Sequence, residues 1–354
     1  MGGEPVDRLP FSPFLAYVWE SYPRPVRDRG QLAFLREVGA DPLWRGAACP
    51  VSCRVPGVSI EQKEDADWSV HITTTPVGSL IQRHQKSAGG NTSFLVEHPL
   101  KRREDFKVRL WIEEHTEFAY EPAAAEQHLA GEGREGLSLG MLLPRGKTAF
   151  QSLIEHHVGT EELVYALADF PEVVEQLLAV MVAKDLEAAR LAAEGPYDFF
   201  ITWEDSSTQN YSPALYDRYI APEIRQYCEI LAGAGKRYVQ HACGHVRGLL
   251  GGMKACGVMA VESLSPPPTG NVSIREARQM LGREVGIIGG IEPTILLHTP
   301  LEELEAYVEQ VIAEAAGGPF VLANSDSCPP GVTAEKFALI AKVARRYQWS
   351  PERL

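Results

Sequence analysis

The chain has 354 residues, 45% hydrophobic and 23% charged, an ordinary make-up for a folded protein and enough length for a large core. Its formal net charge of −13 repels polyanions and so argues against nucleic acid as a partner. No stretch reaches the roughly 20 continuous apolar residues that a membrane helix needs, and residues 1–8 lack the basic and apolar segments of a secretion signal. The six cysteines are scattered rather than grouped, so they read as reduced thiols and the expected compartment is the cytoplasm.

In chain order, residues 31–38 carry a helical apolar pattern. Residues 58–61 and 68–74, split by the polar turn 65–67, read as a β-hairpin. Residues 100–114 and 171–193 are expected helices, and 137–143 is a strand that delivers the loop 144–147. From there short apolar runs alternate with amphipathic helices. The runs are 199–203, 237–240, 258–261, 285–288 and 320–323. The helices are 213–232, 246–254, 273–281, 299–316 and 333–347, the third opened by a capping pair, Ser273 and Glu276. Repeated strand–helix units with short loops imply a parallel sheet. The run of units favours a single (β/α)8 TIM barrel over residues 1–354, with the N-terminal hairpin as decoration; an open doubly wound sheet is the alternative.

In a βα barrel the reactive groups gather where strands end. The side chains at those places are Glu204 and Asp205, His241 and Cys243, Glu262, Glu292, then Asn324, Asp326 and Cys328. His241 and Cys243 are two apart, so on extended chain both face one way. With Cys328 arriving from a later strand they would give zinc an imidazole, two thiolates and one open position, the pattern of a catalytic site. Two small buried cysteines and a satisfied barrel histidine fit the same positions. Glu204, Asp205 and Glu262 are candidate catalytic carboxylates that orient or protonate a substrate, although Asp205 also suits a helix cap and Glu262 a loop anchor. Arg145 and Asn324 are expected to bind substrate. Cys49 and Cys53 have no further ligands nearby in sequence and read as structural, and His156 and His157 as the end of a short helix.

The runs 203–205, 219–222, 240–244, 261–264 and 289–293, with Ser212, Pro213, Leu296 and Leu297, resemble the uroporphyrinogen decarboxylase superfamily. Residues 75–78 and 168–172 fit the same pattern upstream. The resemblance implies a (β/α)8 barrel. It also implies one of two chemistries. The zinc methyltransferase branch resembles this chain in a His-x-Cys pair followed by a distant cysteine, which would make His241, Cys243 and Cys328 the metal ligands. Such enzymes move a methyl group between a corrinoid carried by a partner protein and a thiol or a methylated small molecule. The decarboxylase branch holds a poly-carboxylate on arginines. Here the N-terminal region supplies Arg24, Arg27 and Arg29 but not that branch's motif. The expected function is zinc-dependent methyl transfer with a corrinoid protein as partner; the sequence leaves the oligomeric state open, a homodimer being the commonest default. A decarboxylase of a poly-carboxylate is the alternative, and a non-catalytic ligand-binding barrel the second.

Overall fold

Seven parallel strands form one curled sheet in the computed structural model, which describes residues 7–87 and 92–347. In spatial order they are Leu43–Ala47, Leu137–Met141, Phe199–Thr202, Arg237–His241, Ala260–Leu264, Gly286–Ile291 and Phe320–Asn324. Spatial order equals chain order, as in a barrel, so the doubly wound alternative falls. The eighth place is held by a single parallel bridge between Phe11 and Leu322. Ser12 N donates to Leu322 O and Leu322 N to Pro10 O, while Asp41 N donates to Phe11 O. The N-terminal segment thereby links the last strand to the residues that lead into the first.

The strand pleat decides what the interior contains. Leu139, Ile201, Val239, Ala260, Ile288 and Ala323, each from a different strand, make one buried layer inside the sheet. Side chains two residues farther along point the same way. From Ile201, Val239 and Ala260 that step reaches Trp203, His241 and Glu262, and from Leu43, which packs against the layer, it reaches Arg45. The inner surface therefore turns from aliphatic to charged at the strands' C-terminal ends. A second, larger core lies between the strands and the outer helices, where Leu177, Met181, Ile224 and Tyr227 are buried.

The expected hairpin is the first half of a larger decoration. Ser59–Glu64, Trp68–Thr75, Gly78–Lys86 and Ser93–Glu97 form a four-stranded antiparallel sheet. A two-stranded sheet, Val51–Arg54 with Glu117–Tyr120, lies beside it in sequence. The strand Leu43–Ala47 had no counterpart in the sequence reading. Its inward residue is Arg45, and Gly46 at φ +69° shifts its register, so its sequence has no apolar alternation. The expected helix 213–232 is divided into Pro213–Leu215, a π-helical stretch Tyr216–Ile220 and Ala221–Gly233. Ser273 caps Ile274–Leu281 as expected, its hydroxyl accepting from Glu276 N at 3.2 Å. Among the described residues no helix is long and apolar enough to cross a membrane.

Candidate active site

Parallel register sets the centre of the site. His241 and Glu262 are direct partners on neighbouring strands. Glu262 Oε2 lies 2.6 Å from His241 Nδ1, and its Oε1 accepts from Arg45 Nε at 2.7 Å. All three side chains are buried. Burial opposes ionisation of Glu262, but His241 and Arg45 outweigh it and hold its pKa below the usual carboxylate range. Burial likewise opposes charge on His241, yet Asp205, Cys243 and Glu262 drive its pKa well above the ordinary value. The Arg45 guanidinium also donates to Ser12 O at 3.2 Å and lies over the Phe14 ring, which ties the N-terminal segment to this centre.

The other imidazole nitrogen faces Asp205. His241 Nε2 is 3.4 Å from Asp205 Oδ1, and Cys243 Sγ donates to the same oxygen at 3.4 Å. Asp205 Oδ2 accepts from Lys147 Nζ at 2.8 Å. Lys147 also meets Glu155 at 2.6 Å and donates to Trp203 O. Burial disfavours the Asp205 charge, but hydrogen bonds and charge from His241 and Lys147 lower its pKa far below normal. Burial pushes Glu155 up to about 8 against the pull of Lys147. Trp203 stacks on Phe14, ring centres 5.9 Å apart, and meets the His241 ring edge-on at 5.1 Å. Gly46 permits that wall: a Cβ there would stand 2.5 Å from the Trp203 ring.

The expected residues divide sharply in this geometry. Asp205, His241 and Cys243 each offer a ligand atom within 4.8 Å of the others, the one such group among the described residues. Cys328, expected as the third ligand, lies outside that group. Its backbone N donates to Phe14 O and its carbonyl accepts from Val18 N, so the chain after the last strand turns toward the N-terminal segment. The Cys328 thiol is buried in the hydrophobic core, and burial pushes its pKa up to about 12 despite Lys336. Asp205 occupies the place expected of it.

Glu204 is wholly buried and accepts from the backbone N and the hydroxyl of Thr148, so it anchors the loop after the second strand instead of facing the cavity. Asn324 is a clamp: its Oδ1 accepts from Phe14 N, and its Nδ2 donates to the carbonyls of Phe14 and Asp326. Its amide has no atom left over for substrate in that arrangement. Arg145 borders the cavity, but its guanidinium is engaged by Glu113 and Asp185, both at 2.7 Å. Cys49 and Cys53 are free thiols. His156 borders the cavity from the π-helical stretch Leu153–His157, and burial lowers its pKa to about 4.

Arg45, Lys147 and Glu155 were not singled out from the sequence, and Trp203 stood there only as the first residue of the run 203–205. Lys147 closes the loop 144–147, and its partners Glu155 and Asp205 lie 8 and 58 residues on, so it gives no local signal. Arg45 had a signal, since an arginine flanked by apolar and glycine residues on extended chain marks a charged inward position. A cavity of about 940 Å3 is bordered by Phe14, Trp203, Asp205, His241 and Asp326, while Cys243 borders a smaller one of about 350 Å3.

With that geometry in place, comparison with known proteins is informative. Residues 148–347 match the family model for uroporphyrinogen decarboxylase (URO-D). The uroporphyrinogen decarboxylase of Geobacter sulfurreducens is 24% identical over 247 residues, 64% of this chain and 64% of that protein, so the match spans less than two thirds of the relative. Among solved structures, a methyltransferase from Methanosarcina mazei superposes with a TM-score of 0.61 at 13% identity, covering 98% of this chain and 96% of that one. At that identity the likeness speaks for the fold alone. The matched segment holds five of the seven barrel strands in full and every candidate ligand, and the chain belongs to the uroporphyrinogen decarboxylase family.

Proposed function

We propose that this chain is a metal-dependent methyltransferase, with zinc held by Asp205, His241 and Cys243. One observation carries the reading. The 3.4 Å separations of Asp205 Oδ1 from His241 Nε2 and from Cys243 Sγ match the edges of a tetrahedral zinc site, about 3.3–3.6 Å for bonds of the usual lengths. Oxygen, nitrogen and sulfur donors are all normal zinc ligands, and three of them leave a position for substrate. Glu262 supports the fit from behind: a carboxylate on the remote imidazole nitrogen fixes the tautomer that presents Nε2 to a metal.

A zinc ion so held would lower the pKa of a bound thiol or polarise the leaving oxygen of a methoxy group. The chain's own residues do the rest. Arg45 fixes Glu262, and Glu262 fixes the imidazole. Lys147 occupies Asp205 Oδ2 and so leaves Oδ1 directed at His241 and Cys243. Phe14 and Trp203 exclude water from one side of the group. A corrinoid on a partner protein, the other participant the family resemblance implies, would approach past the exposed rings of Tyr17 and Phe94 at the cavity mouth.

The decarboxylase relative keeps a second reading in play, removal of carboxyl groups from a poly-acid. That chemistry calls for unpaired cations, and several arginines that could supply them are engaged. Arg8 pairs with Asp41, Arg24 with Asp28, Arg27 with Glu20, and Arg145 with Glu113 and Asp185. Asp205, whose carboxylate is held ionised, adds negative charge to the same cavity. Metal analysis of the purified protein tests the choice. Methyl transfer by this site predicts about one zinc per chain, lost in Cys243→Ser and kept in Cys328→Ser. Metal-free protein that turns over uroporphyrinogen would establish the second reading instead.

A further inference from the structure

Outside the barrel, the four-stranded antiparallel sheet sets two imidazoles on one face. His71 pairs in register with Gln82, and Ser69 with His84, so the four side chains share that face. Both histidines are half-buried. Their ring centres stand 5.2 Å apart, the rings tilted by 36°. One amide nitrogen meets both. Gln82 Nε2 is 3.2 Å from His84 Nε2 and 3.5 Å from His71 Nδ1. An amide NH2 only donates, so the two ring nitrogens present lone pairs to the same point. The proton of neutral His71 is then on Nε2, which donates to Ser69 Oγ at 2.9 Å. Burial first, and His71 second, lower the pKa of His84, which keeps its lone pair available near neutral pH.

We infer that this is a second metal site, in which nickel(II) or copper(II) bound by His71 Nδ1 and His84 Nε2 clips the strands Trp68–Thr75 and Gly78–Lys86 together. A cation at the point of convergence takes the place of the amide N–H as partner of both lone pairs. Half a turn of the Gln82 amide brings its Oε1 to the same point as a third donor, and water completes the shell. Nitrogen and oxygen donors without a thiolate suit these two ions, whereas the thiolate of Cys243 gives the barrel site the softer set that selects zinc. Ser69 acts on His71 as Glu262 acts on His241: an acceptor on the remote nitrogen fixes the tautomer. Lys86, two residues past His84, is drawn off by Glu64 at 3.4 Å and by the Asp65 carbonyl at 2.8 Å. The assignment is independent of the methyl-transfer reading. Its place still matters to the barrel. The clipped strand Gly78–Lys86 pairs with Ser93–Glu97, Gln85 opposite Phe94, and Phe94 borders the larger cavity.

Nickel is the probe, titrated by calorimetry into the whole chain carrying one equivalent of zinc. Wild-type protein should take up about one Ni2+ per chain. Ser69→Ala should weaken that binding roughly tenfold. His71→Gln and His84→Gln each delete a ligand and keep the face polar, so each should weaken it by roughly 100-fold or more. Urea midpoints of the metal-free variants should equal that of the wild type, which separates a lost ligand from a lost fold. Cys243→Ser should bind nickel as the wild type does, and millimolar Mg2+, a cation that prefers oxygen, should not displace it. Amide exchange in both clipped strands should slow when nickel binds. The inference is overturned by wild-type protein that takes up no nickel, by uptake that neither histidine substitution weakens, by loss of uptake in Cys243→Ser, by displacement with Mg2+, or by binding that leaves exchange in the two strands unchanged. If the barrel holds no zinc, the methyl-transfer reading fails by itself, and the same nickel titration of the zinc-free chain still decides this one.

Discussion

Replacing Glu262 by Gln isolates what the buried charge chain contributes. The substitution keeps shape and removes one negative charge from between Arg45 and His241, both side chains buried. Arg45 is then a buried cation whose carboxylate partner is gone, since its other bonds are to the carbonyls of Leu43 and Ser12. Breaking one side of a buried ion pair costs about 3–5 kcal/mol. With a urea slope of about 3 kcal/mol per molar, the unfolding midpoint should fall by roughly 1–1.7 M. The same change leaves one amide oxygen for two donors, Arg45 Nε and His241 Nδ1, and removes the charge behind the imidazole, so zinc affinity should drop about 10- to 100-fold, read by competition with a chromogenic chelator. The double variant Arg45→Met with Glu262→Gln removes both charges and should be more stable than Glu262→Gln alone, because no unpaired guanidinium remains. A single variant with wild-type midpoint and zinc affinity, or a double variant that is less stable than the single one, would refute the reasoning.

Asp185 gives a prediction about pH. Burial pushes its pKa up to about 7, with Arg145 pulling down and Glu113 pushing up. A carboxyl whose folded pKa is raised contributes stability that is present below its unfolded value, near 4, and lost as pH rises through the folded one. Urea midpoints of the wild type should therefore carry a decline between about pH 4 and 7 that is reduced in Asp185→Asn; equal slopes in the two proteins contradict the assignment. Gly46→Ala places a Cβ against the Trp203 ring in a left-handed backbone conformation. It should destabilise by about 1–2 kcal/mol from the backbone alone, with a further loss from the displaced ring, and an unchanged melting temperature would show that the wall gives way freely.

The barrel was legible because its strands obey simple rules. Residues 285–288 and 320–323 are short apolar runs between helices, and buried parallel strands read that way. The strand Leu43–Ala47 was hidden because it serves the site: Arg45 and Gly46 break the apolar run in order to reach Glu262 and to admit Trp203. His241 and Glu262 followed from strand ends and pleat, which sequence spacing encodes. Cys328 did not, because it lies beyond the last strand, where direction is set by backbone bonds to Phe14 and Val18 that are more than 300 residues away. Asp205 lay in plain view, but its role as the oxygen shared by His241 and Cys243 depends on Lys147 holding the other oxygen. Loop contacts between distant segments decide such roles, and no local pattern records them.

Zinc K-edge X-ray absorption on the metal-loaded protein tests the central claim most directly, because it counts sulfur ligands. Ligation by Asp205, His241 and Cys243 predicts a shell with a single sulfur at about 2.3 Å and the remaining donors nitrogen or oxygen near 2.0–2.2 Å, unaltered in Cys328→Ser and sulfur-free in Cys243→Ser. Two sulfurs in the wild-type shell, with one lost in Cys328→Ser, would contradict the account and restore Cys328 to the metal.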